Sequence, residues 1–216
     1  MTPSALVVEP RLITLEGGEG VGKSTVLAAL RDALLADGCE VVSTREPGGT
    51  PLAERIRELL LDPSHEAASP RTELLLMFAS RAQHVAERIL PALRRGAWVI
   101  SDRFTDSSHA YQGAGRGLDG EFIDALEQHV VGIEPGLTLL LDLGIAHGRE
   151  RTRGRDLLPD RIERERDEFF ERVRGGFLAR AAEHPRRFRV IDASPAANVV
   201  ADTAVAALNR YREGLT

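Results

Sequence analysis

The chain has 216 residues, 43% of them hydrophobic and 28% charged, with a formal net charge of −5. That length supports one substantial core, and the negative balance argues against a polynucleotide partner, which selects a basic face. A lone Cys39 excludes an intramolecular disulfide framework and suits a reducing compartment, and no stretch approaches the ~20 apolar residues of a membrane span, so a soluble, cytoplasmic protein is expected.

Residues 1–10 lack the basic start and the apolar run of a signal peptide, and they read as a flexible tail ahead of a single domain over 11–216. Leu12–Leu15 reads as a buried strand that flows into glycines. Gly17 to Ser24 then fits G-x-x-x-x-G-K-[ST], the phosphate-binding loop, and Val26, Leu27, Leu30 and Leu34 mark the helix that follows. Gly17, Gly18, Gly20 and Gly22 let the backbone curl so that its N–H groups line an anion site at the positive end of that helix. With Glu19, Val21 and Thr25 they make up the expected ATP loop, in which Lys23 reaches the β- and γ-phosphates and the Ser24 hydroxyl ligates Mg²⁺. Lys23 is the only lysine, while the other 27 of the 28 basic residues are arginine. A compact ammonium has been kept where phosphates converge.

Further strands are expected at Glu40–Ser43, Trp98–Ser101, Thr138–Leu141 and Arg189–Ile191, with helices between them. The alternation predicts an α/β fold, a parallel sheet of about five strands covered by helices on both faces. The second strand ends in Thr44-Arg45-Glu46-Pro47-Gly48-Gly49-Thr50-Pro51, a shaped loop at the edge where open α/β sheets bind ligands, and Arg45 there is a candidate phosphate holder. Leu52–Leu61 is predicted helical. A long helix is predicted over Arg71–Arg94 with a kink at Pro91. On it Met77 and Arg81 share a face, and Phe78 lies about 100° round from Met77.

Three aspartates end strands: Asp102, Asp142 and Asp192. Asp102 is the candidate metal carboxylate because Arg103 follows at once, pairing a cation partner with a phosphate ligand, whereas Asp192-Ala193-Ser194-Pro195 reads as a turn and helix cap. Ser108, Tyr111 and Gln112 then supply a hydroxyl, a ring and an amide before a run of glycines, a set suited to a polar ring. Residues 149–166 hold seven arginines, and those at 149, 151, 153 and 155 alternate, so on a helix they would not form one salt-bridged face. Gly154 and Pro159 break the segment, and residues 147–160 are read as a hinged lid whose arginines close over phosphates. A charged helix is predicted over Arg161–Ala182 and a last one over Ala196–Tyr211.

With these pieces placed, the chain resembles the thymidylate kinases, nucleoside monophosphate kinases of the P-loop class, from Leu12 to about Asp192. The likeness rests on the phosphate loop, on Thr44-Arg45-Glu46-Pro47-Gly48-Gly49-Thr50, on Asp102-Arg103, on Ala110-Tyr111-Gln112-Gly113 and on Asp160-Arg161-Ile162-Glu163. It implies a P-loop NTPase fold and transfer of the ATP γ-phosphoryl to dTMP, giving dTDP and ADP, with Mg²⁺ and in a homodimer. It further implies that Arg45 and Arg103 hold the dTMP phosphate, Arg81 reads the base edge, Ser108 and Gln112 belong to the acceptor site, and Tyr111 crowds a ribose 2′-hydroxyl. Glu19 must face away from a triphosphate, since like charges 4 Å apart repel by roughly 1 kcal/mol even in water. The resemblance agrees, placing it on the acceptor's 3′-hydroxyl. Where some members carry an arginine in the loop this chain has Gly20, and the variant without it places the catalytic arginine in the lid: Arg155 first, Arg151 and Arg153 next. The family's base-stacking Phe is Met77 here, so either Met77 packs on the base through its sulfur or a helix distortion brings Phe78 round. A kinase for another acceptor is the rival enzyme. A GTPase switch is excluded, because its guanine-reading motif needs a second lysine.

Overall fold

The structure is a computed structural model and describes residues 6–152 and 160–215. Five strands, β1 (Val7–Gly17), β2 (Val41–Arg45), β3 (Trp98–Asp102), β4 (Ile133–Asp142) and β5 (Phe188–Asp192), form one parallel sheet in the order β2-β3-β1-β4-β5. All five expected strands are present. The first begins earlier than expected: Val7 pairs with Ile133, so residues 7–10 of the expected tail are strand, and a register shift between Glu9 and Ile13 absorbs Pro10.

The helices in chain order are α1 (Lys23–Ala36), α2 (Pro51–Leu61), α3 (Pro70–His84), α4 (Leu90–Arg94), α5 (Thr105–Ser108), α6 (Gly120–Leu126), α7 (Ile145–Thr152), α8 (Asp167–Glu183) and α9 (Ala197–Glu213). Wide π turns follow α3, α5 and α6, over Val85–Ile89, His109–Gly115 and Glu127–Val131. The first stands immediately before Pro91, whose ring crowds the carbonyl of Glu87 four residues back; the helix meets it by widening a turn earlier than the kink expected at Pro91. The charged helix expected from Arg161 starts at Asp167, after turns over residues 161–164.

Apolar runs in β1 and β3 are continuous because both faces of the sheet are covered. Ile13, Leu15 and Ile100 pack on α1 and α9 through Val26, Leu30, Val200 and Leu208, while Leu12 and Val99 pack on the other face with Leu74, Phe78 and Ile123. A third cluster seats α8 on the turn at His109–Gly115, with Tyr111 edge-on to Phe177 at 6.0 Å. The sheet therefore aims the carboxyl ends of β1, β2 and β3 at one place, where the site lies.

Candidate functional site

A cavity of about 340 Å³ opens there. One wall is the loop after β1, where Gly20 and Gly22 take positive φ values of 71° and 92°. Gly20 has a second reason to lack a side chain: a Cβ would lie 2.3 Å from the carbonyl oxygen of Gly148, so α7 rests on the loop's backbone. Glu19, Val21, Lys23 and Ser24 line the same wall, and Lys23 opens α1 with its ammonium donated to the carbonyl of Gly18 at 2.8 Å. Burial first, then the like charge of Arg103, hold that ammonium below the usual lysine range, against the pull of Glu19 and Asp102. Gly17 and Gly18 contribute carbonyls to Lys23 rather than cavity wall, and Thr25 lies beyond the wall in α1.

Across from the loop, Asp102 and Arg103 end β3. Asp102 Oδ1 is buried and accepts no hydrogen bond among the described residues, while Ser24 lines the same cavity; an orphaned carboxylate oxygen and a hydroxyl are a fitting pair for a hard divalent cation. The competing strand-end acids are occupied elsewhere: Asp142 is held by a two-pronged ion pair with Arg174, and Asp192 accepts the Ser194 N–H in a turn. Arg103 donates to the Gly17 carbonyl (3.0 Å), the Ser107 hydroxyl (3.2 Å), Glu19 (2.9 Å) and the Tyr111 oxygen (3.0 Å). Burial works to raise the Glu19 carboxyl, but Arg103 and then Lys23 hold it below the ordinary range. Glu19 thus faces a cation, the Arg103 guanidinium.

Arg45, from the end of β2, lines the cavity and pairs with Glu54 in α2. Arg57, one helical turn further along α2, joins it there. Sequence reading passed over Arg57, since its role depends on how α2 crosses the sheet edge. Burial, then the neighbouring charge of Arg45, push Arg57 below the usual arginine range, with Arg103 adding to the effect. Three guanidiniums crowd one end of the cavity.

At the remaining end, Met77, Arg81, Ser108, Tyr111 and Gln112 line the wall together. Arg81 is buried and donates to Glu46 (2.6 Å), Ser108 (3.1 Å) and the Phe104 carbonyl (3.0 Å). Glu46 also bonds His84 at 2.9 Å; burial opposes its charge, but Arg81 and His84 hold its carboxyl below the usual range. Gln112 donates to Glu73 at 2.9 Å. Helix geometry puts Met77, and not Phe78, on the cavity wall. Phe78 is 2% exposed and packed in the core beneath the Arg81 guanidinium, 4.7 Å from its ring centre, and the π turn that could have rotated it begins only at Val85. Phe78 is therefore not a cavity residue; Met77 is.

Of the arginines in the enriched segment 149–166, Arg151 is turned away from the cavity, its guanidinium donating to the carbonyls of Ala193, Ser194 and Pro195. Arg149 pairs with Asp167, and Arg161 donates to the carbonyls of Asp62 and His65. Arg153 and Arg155 lie outside the described residues.

Glu16, the residue before the loop, is fully buried; burial first and the Asp106 charge second push its carboxyl up to about 8. The folded state thus holds this proton more tightly than the unfolded chain, so the linked stability is present below the ordinary value of 4.5 and is lost as pH rises towards about 8. The melting temperature of wild type relative to Glu16→Gln is expected to fall between pH 5 and pH 8; a gap that stays constant over that window contradicts the assignment.

The family model described as Thymidylate kinase matches residues 15–204. The chain is 61% identical over 185 residues to a protein called thymidylate kinase from Chromohalobacter salexigens, covering 85% of this chain and 87% of that one. It is 54% identical over 206 residues to one from Pseudomonas savastanoi, covering 94% and 98%. Among solved structures, that of thymidylate kinase from Ehrlichia chaffeensis is similar with a TM-score of 0.76 and 33% identity, over 94% of this chain and 99% of the other.

Proposed function

The chain belongs to the thymidylate kinase family and uses ATP to phosphorylate dTMP to dTDP, and from that premise we propose how its residues divide the work. The loop Gly17–Thr25 takes the ATP phosphates, with Lys23 on the β/γ end. Arg45, Arg57 and Arg103 take the phosphate of dTMP. Met77 packs on the base, Arg81, Ser108 and Gln112 border it, and Glu19 and Tyr111 face the deoxyribose. One observation carries this division: at one end of a cavity whose other wall is the phosphate loop with its lysine, Arg57 lies under the like charges of both Arg45 and Arg103. A dianionic phosphate at that end relieves the repulsion and stands in line with the ATP γ-phosphoryl.

The transfer itself is read as in-line, with no covalent enzyme intermediate. Ser24 and Asp102 would hold Mg²⁺, which when bound neutralises charge on the β- and γ-phosphates. Asp102→Asn is expected to raise the Mg²⁺ concentration for half-maximal rate by about tenfold or more; an unmoved Mg²⁺ titration removes Asp102 from the metal. Arg155 is assigned the cation that meets charge developing in the transition state. Arg155→Ala should lower kcat by at least about tenfold while leaving the KM for ATP nearly unchanged. An unchanged kcat moves the role to Arg153, since the Arg151 guanidinium is engaged with backbone carbonyls.

The remaining parts of the proposal are one kinase domain over residues 11–216 with its lid at about 147–160, a cytoplasmic location, which suits the lone Cys39, and a homodimer. Leu75 on α3 and Val130 beyond α6 are exposed apolar residues on elements that pack side by side, a surface suited to a second copy. The two-phosphate reading is tested with an inhibitor that joins adenosine and thymidine through one polyphosphate chain. Competition against both ATP and dTMP is expected, and competition against ATP alone overturns it.

A further inference from the structure

Glu16 is the last but one residue of β1, inside its buried run, and takes no part in the roles above. Its Oε1 accepts the backbone N–H of Phe104 at 2.8 Å, and its Oε2 meets the Ser107 hydroxyl at 2.6 Å. Both contacts fall just after an unusual corner at Arg103. Among the described residues Arg103 is the one non-glycine residue at positive φ, 72°, where its Cβ crowds the backbone. Such a conformation persists only where neighbours over-determine it. Here the Arg103 N–H donates to the Leu15 carbonyl and its own carbonyl accepts from the Ser101 hydroxyl. The following peptide is held by Glu16. The side chain is held too: Ser107, which Glu16 fixes, also accepts from Arg103 Nη1.

We propose that Glu16 is a positioning residue for the phosphoryl acceptor: it clamps the corner between β3 and α5 so that the Arg103 guanidinium stays aimed at the dTMP phosphate. The inference rests on the reading that Arg103 holds that phosphate. A carboxyl group suits the task in either protonation state. Charged, it accepts from both partners; neutral, it accepts the Phe104 N–H and donates to the Ser107 oxygen. Glutamine reproduces the neutral arrangement, with one acceptor and one donor on the same stem. Alanine leaves the Phe104 N–H unpaired in a dry interior and frees Ser107. The groups that act on Glu16 include Asp106 and Ser107 from α5, Arg103 from the corner and Lys23 at the start of α1, and the Asp106 carboxylate is already held by Arg180 and Arg187.

Steady-state kinetics in both substrates, with melting temperatures, on Glu16→Ala, Glu16→Gln and Arg103→Ala test the assignment. Glu16→Ala is expected to raise the KM for dTMP by about tenfold or more while the KM for ATP stays within about twofold, and Glu16→Gln recovers most of the loss. A folded Glu16→Ala protein whose dTMP KM is unchanged, alongside an Arg103→Ala protein whose dTMP KM rises, overturns the inference alone. Equal rises in both KM values also overturn it, because they report a general loosening. An unchanged dTMP KM in Arg103→Ala removes the acceptor reading and the inference with it. If Glu16→Ala does not fold, Glu16→Asp carries the test. One methylene shorter, it cannot span both partners, so its dTMP KM rises with no change for ATP, and an unchanged value overturns the proposal.

Discussion

Lys23→Ala is expected to lower kcat for dTMP phosphorylation by at least about 10²-fold, the loss typical when one preorganised donor to a charged transition state is removed. The ammonium stands at the first residue of α1, where the helix dipole and the loop's N–H groups already favour anions, and the Gly18 carbonyl 2.8 Å away fixes its aim. Its pKa is held low by burial and by Arg103, so it is a cation that the site strains to keep and that phosphates relieve. In a chain with 27 arginines, Lys23→Arg is the sharper control. A planar guanidinium cannot occupy the space of a compact ammonium, and no recovery is expected. Retention of kcat within about threefold in Lys23→Ala would leave the loop without its assigned catalytic cation, and in Lys23→Arg would remove the requirement for a compact ammonium.

The second large effect is expected at Arg103→Ala, with kcat/KM for dTMP reduced by about 10²-fold or more and the KM for ATP little changed. Arg103 donates to four groups, the Gly17 carbonyl of the loop, Ser107, Glu19 and Tyr111, whose ring also lies 4.9 Å beneath the guanidinium. Its removal takes away a phosphate ligand and leaves Glu19 without its counter-charge. Lysine at this position keeps the charge but not the fork, so Arg103→Lys should remain well below wild type. Full activity in the lysine variant would reduce Arg103 to a point charge and remove the geometric part of its role.

Much of this was legible because it is local. The five strands announce themselves as short apolar runs, and the phosphate loop is a contiguous pattern whose glycines have φ values that other residues rarely adopt. Asp102 could be preferred over Asp142 and Asp192 from its neighbour alone, and the structure gives the two rejected acids partners of their own. What escaped depends on distant segments. Arg57 joins Arg45 only through the path of α2, and Glu16 gains its partners 88 and 91 residues away. Arg151 looked free in an alternating run, yet the turn after β5 supplies three carbonyls to it. The π turns left no periodic signature either: each widens the i→i+4 ladder to i→i+5 over only 5 and 7 residues at Val85–Ile89 and His109–Gly115, too short a stretch for a hydrophobic repeat to reveal.

The central claim is that the cavity's far end is built for the phosphate and base of dTMP. It is tested most directly by measuring kcat/KM with ATP and Mg²⁺ for dTMP against UMP, CMP and AMP in one assay. The account predicts that dTMP is preferred by at least about two orders of magnitude, the discrimination expected when a site's buried polar groups are left unpaired by the wrong base. Comparable or faster phosphorylation of UMP, CMP or AMP would contradict it.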